Sequence, residues 1–512
     1  MTTVVQEAPS EVTGGAPVRT PAAVLALALF EGRRLMLRAP VVVAFVGYVG
    51  WMVWRTPGFE GGFPALQDAD RDTQAAPLLV ALAVLLCVNH AALRSRRQDT
   101  ERLFSVLPLS PGARTAAHAL SLLPVTGLTA LGVLGQFGYE ALRPGAVGTA
   151  SPAELLVGPL VVLLFGAVGV LLARLIPSVL AAPTVIVLFF ASFVVGVVPT
   201  GVGERGTRWL VPIVGESSSA ALPSDLLGRP AAWHALYLVG LALTLALLAV
   251  VRGGGRGLPL AGALAGALAL AVTAGTVQTG AVPADLRAAR ARATLTPEKA
   301  QTCVTSGPAT TRYCAYPEWT SRAATWAGIV GEVRAGAGGG AADQRLVVRQ
   351  RVEARYGLDG DAALTPATVR HQVTAGTAWG GNRVPEFAVA VAGVLVAGDE
   401  RAASRLCDGR VVTVMWLALN GLPDPVRSLR DVRLDDSDSG PAIVVSRTDP
   451  LSMTAAQTAV VRDALTRPRA EIAAKVKANW SELTAPKLTA ARAATLLGTP
   501  APKGKEADTC DA

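Results

Sequence analysis

The sequence predicts an all-α polytopic membrane protein of about seven transmembrane helices, followed by a mainly α-helical soluble extracytoplasmic domain with a little β. Three observations carry this reading. Seven apolar stretches precede residue 280, arginines gather at alternate ends of those stretches, and a cysteine pair, Cys303 and Cys314, follows the last one.

The stretches occupy 40–54, 77–93, 116–137, 155–173, 179–198, 231–251 and 258–277. Each is close to the length a helix needs to cross a hydrocarbon core of roughly 30 Å. The first is short, so Arg38 and Arg55 must snorkel to bracket it. Pro124 and Pro183 fall inside spans and read as kinks that neighbouring helices repair. Gly262 and Gly266 give the seventh span a small face suited to close helix packing. No Asp, Glu, Lys or Arg lies in the middle of any stretch. Ion- and proton-coupled carriers need a buried ionisable group at that depth, so the energy for any transport comes from elsewhere.

The net charge is +9, and the first lysine is Lys299. Because the arginines flank the spans, they read as topology signals and lipid contacts, and nucleic acid is not an expected partner. With the N-terminus in the cytoplasm, the inner segments hold twelve arginines and the outer ones, up to the last span, hold six. That bias orients the chain in a plasma membrane with its C-terminal part outside. Arg287, Arg290 and Arg292, just past the seventh span, count against this assignment, but later helices follow the orientation already set. The first 20 residues show no cleavable signal pattern, so insertion relies on the first span.

Along the chain, 1–21 reads as a disordered cytoplasmic terminus and 22–38 as an interfacial helix on the inner leaflet. Residues 39–279 form the transmembrane domain. Residues 280–335 read as an extracytoplasmic stalk carrying the Cys303/Cys314 loop, 336–500 as a helical domain, and 501–512 as a disordered tail. Cys303 and Cys314 enclose a short polar loop, and an oxidising compartment would pair them. The spacing of Cys407 and Cys510 does not decide whether they pair. The glycine run from Gly336 to Gly340 reads as a linker, and RLVVRQRVEARY after it alternates like a strand. LTPATVRHQV reads as a helix started by Thr365 and Pro366, as do the apolar-periodic pieces beyond it.

Three loops carry distinct patterns. Asp68, Asp70 and Asp72 alternate in the outer loop 56–76 but lack the closing Glu of a calcium loop, so the segment reads as solvated. WLVPIV at 209–214 is too short to cross and reads as dipping back into the outer leaflet. The longest inner loop, 94–115, holds a short amphipathic helix. Asp99 and Glu101 stand at its start, where the helix dipole favours acids, and Leu103, Phe104, Val106 and Leu107 give it an apolar side. Such a helix either docks a partner or packs on the chain's own spans.

Catalytic patterns are lacking. There is no Gly-x4-Gly-Lys-Ser/Thr phosphate loop, no His-Glu-x-x-His and no Gly-x-Ser-x-Gly, and the four histidines stand apart. The chain therefore reads as a protein that is not an enzyme and carries no cofactor or metal.

The segments FEGRRLMLRAP and TERLFSVLPLSPGARTAAHAL, with the apolar outer loop before the sixth span, resemble the membrane subunit of a type-2 ABC exporter of high-GC Gram-positive bacteria. The likeness covers roughly 20–255, and its telling part is the acidic-apolar-Leu-Pro-x-Ser-Pro-x-x-Arg run. It implies a separate ATP-binding subunit that docks on Asp99, Glu101, Arg102, Leu103, Phe104 and Arg114, with Glu31, Arg33 and Arg34 nearby. It also implies a dimer, of two copies or with a second permease. The chain departs from that family in its seventh span and large outer domain, where YCAYPEW and VVTVMWLALNGLP look like tails of some actinobacterial permease-like proteins. The expected function is thus an export permease energised by another subunit. The alternative is a membrane-anchored sensor or scaffold whose outer domain binds a partner.

Overall fold

The computed structural model describes residues 20–56, 62–98, 109–196, 206–214, 221–306, 311–355, 364–381, 383–433, 442–444, 448 and 451–502. Apolar helices occupy all seven stretches: Ala39–Arg55, Leu78–Ala92, Leu123–Ala141, Pro152–Leu175, Ala181–Gly196, Ala231–Arg252 and Leu258–Gln278. Four units are long and apolar enough to cross a membrane, namely Pro111–Ala141, Pro152–Leu175, Ala231–Arg252 and Leu258–Gln278. A fifth results if Pro21–Met36 and Ala39–Arg55, bent by 61° at a short break, are counted as one broken span. Leu78–Ala92, with 15 residues, reaches only about 23 Å at 1.5 Å per residue. The described residues are therefore mainly helical, with four to five helices of spanning length among them, and the expected seven spans are not established.

Pro183 marks a helix start rather than a kink, whereas Pro124 follows an irregular turn inside the Pro111–Ala141 unit. Pro124 lies in the first turn of Leu123–Ala141, after a break at Ser121–Leu122, and Pro183 in the first turn of Ala181–Gly196. Their missing N–H groups cost nothing there, since first-turn donors lack intrahelical partners.

Pro152–Leu175 is the hub. About 72% of its apolar window is buried, against 22–33% in the other three units, and it packs on Leu78–Ala92, Leu123–Ala141 and Ala231–Arg252. Gly169 permits that contact, because a Cβ there would sit 2.7 Å from the Leu85 carbonyl oxygen. The same device joins the last two apolar helices: a Cβ on Gly240 would fall 2.6 Å from the Ala271 nitrogen. Gly262 and Gly266, expected at such a seam, face open space instead.

The C-terminal part begins with the helix Ala284–Leu295 and a four-stranded sheet, β1 Thr302–Ser306, β2 Thr311–Ala315, β3 Val347–Gln350 and β4 Gln372–Ala375. β1 and β2 are antiparallel, while β2, β3 and β4 run parallel. Ala323–Gly336 makes the crossover from β2 to β3 and packs on β2. Helices Arg383–Ala397, Arg410–Leu419, Ala455–Thr466, Arg469–Ala478 and Ala490–Leu497 complete the core. A capping box starts the third of these, with Thr454 and Gln457 each satisfying the other's backbone N–H.

Cys303 and Cys314 face each other at directly paired positions of β1 and β2 and are disulfide-bonded. Cys407 is also disulfide-bonded, and Cys510 lies outside the described residues. The cysteine hairpin and β3 share one sheet, and a single hydrophobic cluster runs from Tyr313 to Leu497, across the position where the sequence reads a stalk giving way to a second domain. Three of the glycines read as a linker, Gly336, Gly338 and Gly339, are close-packed: a Cβ on Gly338 would lie 2.7 Å from Trp480 Cβ.

One helix expectation fails. Residues 364–371 are not helical, and Gln372–Ala375 is β4. His371 adopts a left-handed φ of 61°, which turns the chain into the strand. Glu400, buried, accepts hydrogen bonds from the Ala367 and Thr374 backbone amides and the Thr374 hydroxyl, giving this segment the partners a helix would have supplied.

Candidate functional site

The apolar helices have two polar ends. The near end carries the C-terminal domain, and the far end carries the loop 94–115. Each is built from residues distant in sequence.

At the far end, Glu31 is 8% exposed and receives both Arg94 guanidinium nitrogens, at 3.2 and 3.3 Å. Arg94 is the first residue of the loop, so this pair ties the loop's entrance to the helix Thr20–Met36. The same helix packs on Pro111–Leu120, where Gly32 lies against Pro124 and the Ser121 carbonyl. The loop's exit is fixed by Ser110, whose hydroxyl accepts from the Ala113 amide at 3.2 Å as a helix cap. Gly112 presses on the 253–257 turn, since a Cβ there would sit 2.8 Å from the Gly255 nitrogen.

Of the loop residues singled out from the sequence, Asp99, Glu101, Arg102, Leu103 and Phe104 lie outside the described residues. Arg114 is half-buried on Pro111–Leu120 and has polar company. Arg33 and Arg34 are exposed on the helix that holds Glu31, beside a cavity of about 860 Å³. The Glu31–Arg94 pair has no local signal in the sequence, because its members are 63 positions apart.

At the near end, the segment read as a solvated acidic loop is the helix Leu66–Asp72. Asp70 is 1% exposed, and its Oδ2 accepts from the Ser151 amide at 2.8 Å while Oδ1 has no partner. Burial pushes its carboxyl up to about 7, against the lowering effect of the Ser151 amide. Each neighbouring acid meets an arginine: Asp68 with Arg229 at 3.2 Å, Asp72 with Arg55 at 3.0 Å, and Glu154 with Arg71 at 3.5 Å. Gln74 adds a hydrogen bond to Glu154 Oε2 at 2.5 Å. Arg71 also donates to the Val214 carbonyl and lies 5.7 Å from the centre of the Trp209 ring. Trp209 packs edge-on against His234, so WLVPIV is folded onto the helix ends.

The C-terminal domain grips these loops. Glu318 accepts from the Thr149 hydroxyl at 2.8 Å and from the Ser224 amide at 3.0 Å, and Ser224 Oγ also reaches it. Arg290 donates to the Leu226 and Leu227 carbonyls, each at 2.8 Å. Ala65, Val147, Leu222 and Leu226 belong to the same apolar cluster as the domain's tryptophans. Loops flanking the apolar helices are thus part of the C-terminal core. Among the described residues, no group of three His, Cys, Asp or Glu side chains is placed to hold a metal ion.

No family model, no curated protein and no solved structure matches this chain.

Proposed function

We propose that the chain is the membrane-spanning subunit of an export system, energised by a separate ATP-hydrolysing subunit that docks at the far end on 94–115. The observation that supports this most is the Glu31–Arg94 pair. A docking loop transmits force only if its anchor is stiff, and a part-buried bidentate arginine–carboxylate pair is a stiff anchor. The Ser110 cap and the Gly112 contact hold the other flank. Force applied to the loop then reaches Thr20–Met36 and Pro111–Leu120 together, rather than being lost in a flexible tether.

The arginine bias supports placing the far end in the cytoplasm, with Arg33, Arg34, Arg38, Arg94, Arg114, Arg174 and Arg252 there. The C-terminal domain with its disulfide is then outside the cell. The apolar sides of Leu131, Leu134, Leu268 and Val272 remain exposed and face lipid or a second permease subunit. Changing Glu101 and Phe104 together, E101K with F104S, tests the docking role. The expected result is loss of the ATP-hydrolysing subunit from the purified protein, and unchanged recovery would sink it.

A second reading, an anchored sensor or scaffold, draws on the near end. Glu318, Arg290 and Arg322 fasten the outer domain to three loops, an arrangement that would also serve to pass an external binding event to the helices. Recovery of envelope proteins in place of an ATP-hydrolysing subunit would favour it.

A further inference from the structure

At the far end, the break between Thr20–Met36 and Ala39–Arg55 opens a groove of about 860 Å³ against the end of Leu78–Ala92. Its apolar side is formed by Phe30, Leu37, Pro40 and Leu86, and its polar side by Arg33, Arg34, Arg38 and His90. We propose that this groove binds one anionic phospholipid, with the phosphate on Arg33 and Arg34 and the upper acyl segments along Phe30, Leu37 and Leu86.

The charge balance favours an anion. Arg38 donates to the Cys87 carbonyl at 3.3 Å, and His90 stands 3.0 Å from Arg97, so both are already engaged. The Arg33 and Arg34 side chains make no hydrogen bond or ion pair among the described residues. The acid beside them in sequence, Glu31, is taken by Arg94. Two adjacent guanidinium groups beside an apolar wall therefore lack a counter-charge among the described residues. A phosphate supplies one, since its oxygens match the guanidinium fork.

Shape and exposure favour a lipid over a free anion. Phe30 is 60% exposed and Leu37 is 69% exposed. Inorganic phosphate would satisfy the arginines and leave that apolar rim in water, whereas acyl chains cover it. The volume lies within the range of sites that hold molecules larger than a simple ion, roughly 300–1,000 Å³. A lipid seated there fills the 61° elbow and braces the first helix against Leu78–Ala92. The site does not depend on the export reading, because it concerns the helix elbow and not the 94–115 loop.

The test uses the full-length protein, purified in detergent from mixed vesicles of phosphatidylglycerol and phosphatidylcholine, with the lipids that remain bound counted by mass spectrometry. The expected result is enrichment of phosphatidylglycerol over the starting mixture, lowered about 10- to 30-fold in R33Q/R34Q, from the usual contribution of two arginines at an anionic surface. F30Q/L37Q, which keeps the charges and removes the apolar rim, is expected to lose retention as well. R312Q/R345Q removes the same charge from the C-terminal domain and is expected to retain lipid like the unaltered protein. Equal retention of the two lipids, equal loss in R33Q/R34Q and R312Q/R345Q, full retention in F30Q/L37Q, or displacement of the lipid by inorganic phosphate would each overturn the proposal.

Discussion

Arg322, at the start of the crossover helix of the C-terminal domain, donates from Nη2 to the Phe63 carbonyl at 2.8 Å, across 259 positions of sequence. Nη1 donates to the Thr377 carbonyl at 2.9 Å, and Nη2 also reaches the Gly145 carbonyl at 3.4 Å. One side chain, 4% exposed, thus joins the domain to two loops from the apolar helices. Arg322→Ala leaves the part-buried Phe63 and Gly145 carbonyls without this donor, at a cost of about 1–3 kcal/mol for each one left unsatisfied, while the Thr377 carbonyl keeps its hydrogen bond from Trp319 Nε1. The expected outcome is a lower unfolding midpoint and faster proteolysis at 62–65 and 143–151. Lysine cannot span all three acceptors, so R322K is expected to fall between the two.

Asp70 makes the near end sensitive to pH. Its folded carboxyl titrates near 7, while an unfolded aspartate loses its proton at about 4. Between those values the folded chain holds a proton that the unfolded chain has released. Stability therefore falls as pH rises through this window and is level above it, by at most about 4 kcal/mol for the whole window. Thermal unfolding is expected to show a higher midpoint at about pH 5 than at about pH 8, with a flatter profile in D70N. A D70N profile that keeps the full slope would assign the effect to other groups.

The Glu31–Arg94 pair is open to a charge swap. E31Q and R94Q should each destabilise the far end by about 1–3 kcal/mol, because each leaves the partner of a part-buried pair without its counter-charge. The double reversal E31R/R94E should recover part of that loss. A coupling energy near zero in the double-mutant cycle would show that the two side chains act independently.

Much of this was legible in the sequence and some was not, for physical reasons. The seven apolar helices were legible because hydrophobicity is concentrated in them, and β3 because RLVVRQRV alternates. The shortness of Leu78–Ala92 was not, since a continuous apolar run does not say where its helix begins and ends. Leu66–Asp72 was read as solvated because QDADRD has no apolar face, and what buries it is a set of partners about 80 to 160 positions away. β4 was read as helix because the support from Glu400 lies 26 positions beyond Thr374. At the far end, the family resemblance implied that Glu31, Arg33 and Arg34 lie near a separate ATP-binding subunit, but no local signal announces the bond from Arg94 to Glu31, 63 positions away, that ties down the entrance of 94–115.

The Cys303–Cys314 bond closes a loop of sequence separation 11. Loop-closure entropy assigns a crosslink of that size about 3 kcal/mol. C303S/C314S is therefore expected to lower the unfolding midpoint of the C-terminal domain, and reductant should do the same to the unaltered protein. A midpoint insensitive to both would mean that strand pairing alone holds the hairpin.

The central claim is tested most directly by purifying the tagged chain from its native membrane under gentle detergent and measuring what accompanies it. The expected result is a stoichiometric ATP-hydrolysing subunit, retained by the unaltered protein and lost from E101K/F104S. Recovery of the chain alone, or with envelope proteins only, under conditions that keep a control ATP-driven exporter intact, would contradict it.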